Sequence, residues 1–554
     1  MTEFLVVIVV ALVAIAAATV VAPRIGIAAP LVLVTIGVAA SFLPVFASVY
    51  IEPEWILAGI LPPLLYSSAV SMPAMNFRRE FGAISGLSVL LVVGSALLLG
   101  VFFMVAIPGL GFAWGVALGA IVSPTDAVAT SIIKRTPVSK RVVAILDGES
   151  LLNDATALVL LRTAIVAAAA SFSFWGAIGT FAYSVAIAAL IGGLVGWVNL
   201  QVRKRVTDST VNTVISFTVP FLAAVPAELL GASGLVAAVV AGLVTGILAP
   251  RDLSPQNRLS DTQNWRTVEL VLEGAVFLTM GLQIKSIVTN VESDHAGVGP
   301  AVIIAVGALV LTILVRAAYI GPLLAVLKSR SRHAEKLQGR LQNMQQRFAA
   351  PYGAQEAFGE VSRRQPSERD LQRFAVRVTR GLADIEYFRR QPLGWREGTV
   401  VVWAGMRGAV TVAAAQSLPE DTPQRSVLVL IAFTVAALSL LIQGGTVGPL
   451  VRRLTPTTDA ATVAEQERAE RTRIIEIMKS SVDSVGELRR PEGDPTPQDL
   501  RESQAHLLAV LEAQRAALLD ARDNGTFDAD VLANALANLD ASQIAIELRG
   551  KPQP

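Results

Sequence analysis

The 554-residue sequence contains no cysteine, which excludes disulfide bonds and metal sites built on thiolates. Histidine is nearly absent as well: the three histidines, His295, His333 and His506, lie outside the long apolar stretches. Charged residues make up only 16% of the chain. Soluble globular proteins carry about 25% charged residues, so this shortage argues against a soluble domain.

Apolar residues are abundant instead, with 53% of the chain hydrophobic and a mean hydropathy of +0.56. Apolar stretches of about 20 residues recur, and a helix of that length crosses the hydrocarbon layer of a membrane. Thirteen such helices are predicted, at Phe4 to Ala22, Ile25 to Phe46, Trp55 to Ser71, Ile84 to Ile107, Phe112 to Ile133, Val142 to Ala170, Trp175 to Leu200, Val211 to Val225, Leu229 to Leu248, Val268 to Ile287, Ala301 to Leu327, Thr399 to Leu418 and Val427 to Leu450.

Basic residues are unevenly placed between these helices. With the N-terminus outside, the predicted inner loops contain most of the loop arginines and lysines: Arg24, Arg78, Arg79, Lys134, Arg135, Lys140, Arg141, Arg203, Lys204, Arg205, Arg251, Arg258 and Arg266. Cytoplasmic loops are enriched in Lys and Arg. The pattern predicts a multi-pass plasma-membrane protein with a cytoplasmic C-terminus. We interpret the basic residues as topology determinants and not as a nucleic-acid surface.

Two segments are too polar to lie in the membrane. Residues 329–397 form a predicted cytoplasmic insertion, and residues 455–554 form a soluble tail with three amphipathic helices separated by prolines and by Asn524-Gly525. The predicted domains are therefore a membrane domain, 1–454, which includes the insertion, and a cytoplasmic helical tail. Neither segment contains a phosphate-binding loop or a metal cluster, so a packing or dimer-stabilising role is favoured over ligand sensing.

The stretch GESLLNDATALVLL, residues 148–161, places polar residues in the sixth predicted helix. Ionisable side chains cost several kcal/mol within a membrane, so they mark functional sites. Glu149 and Asn153 share one helix face, and Ser150 and Asp154 share the neighbouring face. The second face offers oxygen ligands of the kind that alkali cations accept. The Glu149 carboxylate needs a cationic partner to be tolerated at depth.

The fifth and twelfth predicted helices should be interrupted. In SPTDAVAT, Pro124 breaks the helical hydrogen bonding just before Asp126, so free carbonyls and a carboxylate lie together. In GMRGAVTVA, glycines flank Arg407. An ordinary proline kink and glycines for close helix packing are the alternatives, but neither explains the charged residues. Paired interrupted helices in two inverted halves point to a transport site near the membrane midplane.

In this order and in these helices, SPTDAVAT, GESLLNDATALVL and GMRGAVTVA resemble the signature motifs of the monovalent cation/proton antiporters of the NhaP and NHE type. The resemblance covers about residues 1–455. It implies an all-α membrane protein of about thirteen helices in two inverted six-helix repeats with crossed, interrupted helices. It also implies a homodimer formed by a scaffold domain, and a core domain that moves to give alternating access.

The resemblance also implies roles for single residues. Asp154 matches the aspartate that binds the cation and carries the proton, and the accessory cation ligands match Asp126, Ser150 and the backbone of Thr125. Asn153 stands where electrogenic relatives have a second aspartate.

Two further residues, Glu149 and Arg407, match a buried stabilising ion pair. One departure concerns the third helix, in LPPLLYSSA, where several relatives have an acidic residue in place of Ser67. The charge of the residues that contact the cation, and with it the preferred cation, is therefore open. A second departure is the length of the insertion between the eleventh and twelfth helices.

The expected activity is exchange of a monovalent cation for a proton, because the two compete for the Asp154 carboxylate. Asn153 cannot carry a second proton, so electroneutral one-for-one exchange is expected. Sodium is the expected cation, in a role in pH homeostasis, with K⁺/H⁺ exchange and a passive cation channel as alternatives. No ATP site, other cofactor or enzymatic activity is expected. The aspartyl-protease motif Gly-x-Gly-Asp is absent, and rhomboid and zinc proteases need a membrane histidine.

Overall fold

The computed structural model describes residues 2–25, 27–43, 52–136, 138–169, 174–294, 297–348, 367–454, 458–486 and 496–549. Every regular element within these ranges is a helix, and the predicted all-helical class is confirmed for them. In chain order the helices are α1 Thr2–Ile25, α2 Ala29–Ser41, α3 Leu61–Ser71, α4 Ala74–Ser85, α5 Val92–Ala106, α6 Phe112–Val122, α7 Val128–Ile133, α8 Lys140–Ala169, α9 Phe174–Arg203, α10 Ser209–Leu229, α11 Gly234–Asp252, α12 Pro255–Leu282, α13 Ile284–Ser293, α14 Val298–Phe348, α15 Glu368–Arg390, α16 Trp395–Trp403, α17 Ala409–Gln416, α18 Arg425–Ser439, α19 Gly445–Leu454, α20 Thr458–Val482, α21 Pro497–Asn524 and α22 Ala529–Arg549.

Three π-helical turns widen otherwise continuous helices. They cover Trp55–Ile60 before α3, Gly86–Leu91 before α5 and Leu440–Gly444 before α19. Such turns accommodate one extra residue and are frequent at functional sites. Each joins its neighbours into one helical segment, so the third, fourth and thirteenth predicted helices continue through them.

Nine helices of the described residues are long and apolar enough to cross a membrane, by length and composition. Three shorter apolar helices, Ala29–Ser41, Trp55–Ser71 and Phe112–Val122, coincide with the second, third and fifth predicted crossings. The twelfth prediction falls on the short pair α16 and α17. The count of thirteen crossings, the inverted repeats and the orientation in the membrane stay predictions.

The chain divides into two compact units. Unit 1 contains Met1–Ala249, Ser260–Leu323 and Trp395–Thr455, and unit 2 contains Pro250–Leu259, Leu324–Gly394 and Pro456–Pro554. Unit 1 therefore holds all the motifs of the predicted ion site. Most of the polar insertion, which is predicted to belong to the membrane domain, is grouped with the tail in unit 2.

Close helix approach shapes the part of unit 1 that leads to the site. Where α5 crosses α6, a Cβ atom added at Gly100 would lie 2.6 Å from a Val116 methyl group, and one added at Gly119 would overlap the carbonyl of Ala96. Small residues let membrane helices approach backbone to backbone. This packing fixes the end of α6, which is the point where the chain becomes irregular at Ser123.

Unit 2 has an apolar core of its own in the C-terminal helices. Its buried members are Ile474, Leu511, Leu518, Ala521, Phe527, Val531, Leu532 and Leu539. Helix α21 begins with a capping box, in which Thr496 and Asp499 exchange side-chain and backbone hydrogen bonds. These donors hold the pKa of the Asp499 carboxyl below its usual value. An αL glycine, Gly525 with φ of 72°, ends the helix.

Candidate ion-binding site

Two interrupted helices of unit 1 cross at their breaks. The chain is irregular between α6 and α7, at residues 123–127, and between α16 and α17, at residues 404–408. The peptide N–H of Asp126 donates a hydrogen bond to the carbonyl of Met406 at 2.7 Å. A Cβ atom at Gly408 would overlap the Asp126 carboxylate, so only glycine allows this approach. The breaks expected from proline and glycine are thus present and in contact.

Arg407 neutralises the broken end of α6. Its side chain is 2% exposed, and its guanidinium donates to the carbonyl of Val122 at 2.9 Å, to that of Ser123 at 3.5 Å and to that of Gly405. A helix C-terminus carries partial negative charge on its unpaired carbonyls. The arginine therefore satisfies carbonyls that the interruption would otherwise leave exposed to an apolar surrounding.

The ion pair predicted between Glu149 and Arg407 is wrong. In the structure the partner of Glu149 is Arg316. Glu149 accepts two hydrogen bonds from the guanidinium of Arg316 on α14, one of them at 2.7 Å from Nη2 to Oε2. Both side chains are at most 3% exposed. The physical reason is that the carbonyls at the α6 break already take up the Arg407 donors. The motif spacing revealed a carboxylate in need of a cation but not which of two buried arginines would supply it.

Asn153 ties α8 to the first break. Its Nδ2 donates to the carbonyl of Thr125 at 3.0 Å and to the Thr125 hydroxyl at 2.7 Å, while that hydroxyl donates to Glu149 at 3.1 Å. Asn153 is fully buried, and its Oδ1 has no hydrogen-bond partner. The structure therefore shows an asparagine that positions Thr125.

One cavity of about 110 Å³, the ion-binding cavity below, gathers the remaining predicted residues. The predicted residues in its wall are Asp154, Asp126, Ser150 and Thr125. Asn153, Glu149 and Arg407 are not part of that wall. Asn153, Glu149 and Arg407 instead contact the interrupted segment at residues 122–125. The four residues in the wall offer oxygen atoms to the space between α3, α8 and α12.

Two carboxylates that are not among the predicted site residues also line this cavity. Glu269 and Glu273 lie four residues apart on α12 and both face it. Ser67, the residue that replaces an acid in the third helix, donates from its hydroxyl to Glu269 at 3.3 Å. The four-residue spacing of Glu269 and Glu273 in an apolar stretch predicts that both lie on one face of α12. No sequence motif, however, indicates that this face lies near the interrupted helices.

The charge of the wall is one-sided. Asp126, Asp154, Glu269 and Glu273 contribute carboxyl groups, and none of the described residues that line the cavity is a lysine or an arginine. Two negative charges about 6 Å apart repel by about 3 kcal/mol at an effective dielectric constant of about 20. Ionising all four groups together is therefore unfavourable unless a cation enters. Protons or small cations would offset this repulsion.

Comparison with known proteins points to one family of transporters. The family model described as "Sodium/hydrogen exchanger, transmembrane" matches residues 8–354 and 373–453. An uncharacterized Na⁺/H⁺ exchanger of Mycobacterium tuberculosis is 26% identical over 98% of this chain and 96% of its own length. The Na⁺/H⁺ antiporter ApNhaP of Aphanothece halophytica is 26% identical over 76% of this chain and 69% of its own.

A solved structure shares the fold. The sodium proton antiporter MjNhaP1 of Methanocaldococcus jannaschii superposes with a TM-score of 0.55 at 15% identity, covering 82% of this chain and 99% of that protein. At that identity the likeness shows the architecture alone. The family match, by contrast, spans most of the chain. The chain therefore belongs to the sodium/hydrogen exchanger family, and it is a membrane transporter and not an enzyme.

Proposed function

We propose that this protein exchanges a monovalent cation, sodium, for a proton, and that both compete for the Asp154 carboxylate. The observation that carries the proposal is the wall of the ion-binding cavity, with four carboxyl groups and no basic side chain among its described residues. A bare carboxylate in that wall is unfavourable, whereas a protonated or cation-bound one is not. Asp126, Ser150 and the backbone of Thr125 complete the oxygen ligands around the cation.

The exchange is electroneutral, with one cation for one proton. Asn153 stands beside Asp154, and an amide cannot take up a second proton. Its hydrogen bonds to Thr125 support a positioning role in the same site. The buried charges of Glu149 and Arg316 neutralise each other, so neither contributes to the charge moved in the transport cycle.

A second candidate activity is exchange of potassium for protons. A relative from Bacillus subtilis, 29% identical over 48% of this chain and 41% of its own length, is named as a sodium, potassium, lithium and rubidium/H⁺ antiporter. The third helix of this chain has Ser67 where several relatives have an acid, and Glu269 reaches Ser67 from α12. A carboxylate offered from α12 instead of α3 places the negative charge of the wall differently, which keeps potassium as the second candidate cation.

We further propose that the protein acts as a homodimer in the plasma membrane and contributes to pH homeostasis. The proposed orientation places the N-terminus outside and the C-terminus in the cytoplasm. It is supported by the excess of basic residues in the predicted inner loops.

The test is cation-driven proton movement in proteoliposomes. A trapped pH dye is followed after addition of NaCl, KCl or LiCl, with the Asp154→Asn variant as control. Competition at one carboxylate predicts that lowering the pH raises the half-saturating cation concentration and leaves the maximal rate unchanged. Cation flux that generates current without moving protons would establish a passive channel instead.

A further inference from the structure

Helix α14 continues far beyond the apolar stretch that predicts its membrane crossing. That stretch ends at Leu327, whereas the helix runs without a break to Phe348. The first nine residues after Leu327, KSRSRHAEK, contain four basic side chains and one acidic side chain. With the histidine neutral, they carry a net charge of +3. A strongly basic segment therefore begins directly where the predicted membrane span ends.

The four basic side chains of this segment, called the α14 basic cluster, are Lys328, Arg330, Arg332 and Lys336. All four are exposed. Within the part of the chain that the structure describes, no residue forms a hydrogen bond or an ion pair with any of them. Lys328, Arg332 and Lys336 are four residues apart, so they lie along one face of the helix. Their charges are therefore directed to the surroundings and not to the protein.

Membrane topology alone does not explain the cluster. An excess of basic residues on the inner side is expected for any multi-pass membrane protein. Elsewhere, however, several basic residues of the predicted inner loops have carboxylate partners: Lys134 with Asp147, Arg141 with Glu80, Arg203 with Asp261, Arg251 with Asp523 and Arg258 with Asp540. The α14 basic cluster has no such partner among the described residues. Its charge is left for an anionic partner from outside the chain.

The position of the cluster along α14 matches the headgroup layer of a bilayer. The hydrocarbon core is about 30 Å thick and the whole bilayer about 40–45 Å, which leaves about 5–8 Å of headgroups on each side. Counted from Leu327 at about 1.5 Å per residue, Lys328, Arg330 and Arg332 lie within about 8 Å. Lys336 lies about 14 Å from Leu327, which is about one screening length beyond that layer at physiological salt. Any tilt of the helix shortens these distances.

We propose that the α14 basic cluster binds the phosphate groups of anionic phospholipids and fixes the start of the polar insertion at the membrane surface. Clusters of about four to eight Lys and Arg next to a membrane span are typical of anionic-lipid recognition. Lipid is favoured over nucleic acid or a soluble anion because a continuous helix joins the cluster to the predicted span. The proposal gives a role to an insertion that the exchange function leaves unused, and it does not depend on that function.

The test measures which lipids gather at the cluster in the full-length protein. The chain has no native cysteine, so Ser331→Cys, between Arg330 and Arg332, gives a single site for a fluorescent donor. The protein is placed in phosphatidylcholine nanodiscs that contain a minor share of phosphatidylglycerol. An acceptor fluorophore is attached to an acyl chain of either lipid, so the two acceptors differ only in the headgroup. The ratio of energy transfer to the two acceptors reports the local preference for the anionic lipid.

Removing three charges of the cluster should abolish the preference for phosphatidylglycerol. The variant is Lys328→Gln, Arg332→Gln and Lys336→Gln in the labelled background. Each removed charge should lower the preference by up to about fivefold, the effect expected for one basic residue at an anionic surface. The charge-conserving variant Lys328→Arg, Arg332→Lys and Lys336→Arg should keep it. Raising the salt concentration to about 1 M shortens the screening length to about 3 Å and should also remove most of the preference.

Helix α15 provides a matched control. Its residues Arg369, Arg373 and Arg377 are also exposed and four residues apart, but α15 does not continue an apolar stretch. Arg369→Gln, Arg373→Gln and Arg377→Gln should leave the preference at the Ser331→Cys label unchanged. Monodisperse elution and the unfolding transition establish that each variant folds. The double variant Lys328→Gln and Lys336→Gln replaces the triple variant of the cluster if that one does not fold.

Equal energy transfer to both lipids with the cluster intact, or an equal loss of preference in the two triple variants, would overturn the proposal. Inorganic phosphate, added at the same ionic strength as a chloride control, should displace no more lipid than chloride does. Stronger displacement by phosphate, or by a single-stranded polyribonucleotide, would assign the cluster to a soluble anion or to a nucleic acid instead.

Discussion

Replacing Glu149 with glutamine tests which arginine this carboxylate neutralises. The substitution keeps the shape of the side chain and removes its charge. Arg316 would then be left 2% exposed with a positive charge and would face one neutral amide oxygen and an NH2 donor in place of two charged oxygens. Its Nε still donates to the carbonyl of Val401 at 2.9 Å, so the arginine cannot simply turn away.

The expected loss of unfolding free energy is about 3–5 kcal/mol, the range for removing one partner of a buried ion pair. Glu149 also accepts from the Thr125 hydroxyl, but an amide oxygen preserves that bond. Replacing both partners, with Glu149→Gln and Arg316→Met, removes the unpaired charge and should recover most of the loss. The coupling energy of this double-mutant cycle is expected to be about 2–4 kcal/mol.

The measurement is reversible unfolding of the purified protein in mixed detergent micelles, followed by tryptophan fluorescence. The matched control cycle pairs Glu149→Gln with Arg407→Met. Because Arg407 donates to backbone carbonyls and not to Glu149, its coupling energy should stay below about 1 kcal/mol. Sodium affinity, measured on the folded fraction, should change much less than stability.

A coupling energy that is larger for Arg407 than for Arg316 would refute the assignment and restore the pairing inferred from the motifs. Equal and small couplings would show that neither arginine depends on Glu149. In that case the burial of three charged side chains in this region would need a different explanation.

The other expected outcomes concern transport. Asp154→Asn should abolish exchange in vesicles while leaving the unfolding transition intact, and persisting exchange would contradict its carrier role. Wild type should not respond to an imposed diffusion potential, and Asn153→Asp should become potential-sensitive or inactive; a voltage response in wild type would contradict electroneutral exchange. Glu273→Gln should raise the half-saturating sodium concentration without abolishing exchange, and an unchanged value would remove it from the site. Gly408→Ala should displace Asp126 and lower exchange strongly, with a stability loss of about 1–3 kcal/mol.

The interruptions could be predicted because their causes are local. Pro124 cannot donate a helical hydrogen bond, and the glycines at 405 and 408 weaken the helix on either side of Arg407. Both effects depend on residue type alone. The contact between the two breaks could not be predicted from local sequence. In that contact the peptide N–H of Asp126 donates to the carbonyl of Met406, and the two residues are 280 positions apart.

The partner of Glu149 could not be predicted for a related reason. Arg316 lies 167 residues further along the chain, in a helix whose sequence motif the resemblance does not include. Two buried arginines were available, and the choice between them depends on which carbonyls the broken helix exposes. Glu269 and Glu273 illustrate the same limit. In the sequence they are two acids of an apolar helix, and only the fold places them in one cavity wall with residues of α3 and α8.

Buried charges in unit 1 fall into two groups with different physical roles. Arginines form the first, each engaged by a fixed partner: Arg141 with Glu80 at 2.6 Å, Arg203 with Asp261 at 3.0 Å, Arg316 with Glu149, and Arg407 with backbone carbonyls. Carboxyl groups in the cavity wall form the second, and no described lysine or arginine lines that wall with them. A permanent internal cation there would compete with the transported one for the same oxygens. Because these four arginines have their partners elsewhere, none of them occupies the carboxyl groups of the cavity wall. The proposed competition between a proton and a cation requires that these carboxyl groups stay free of such a partner.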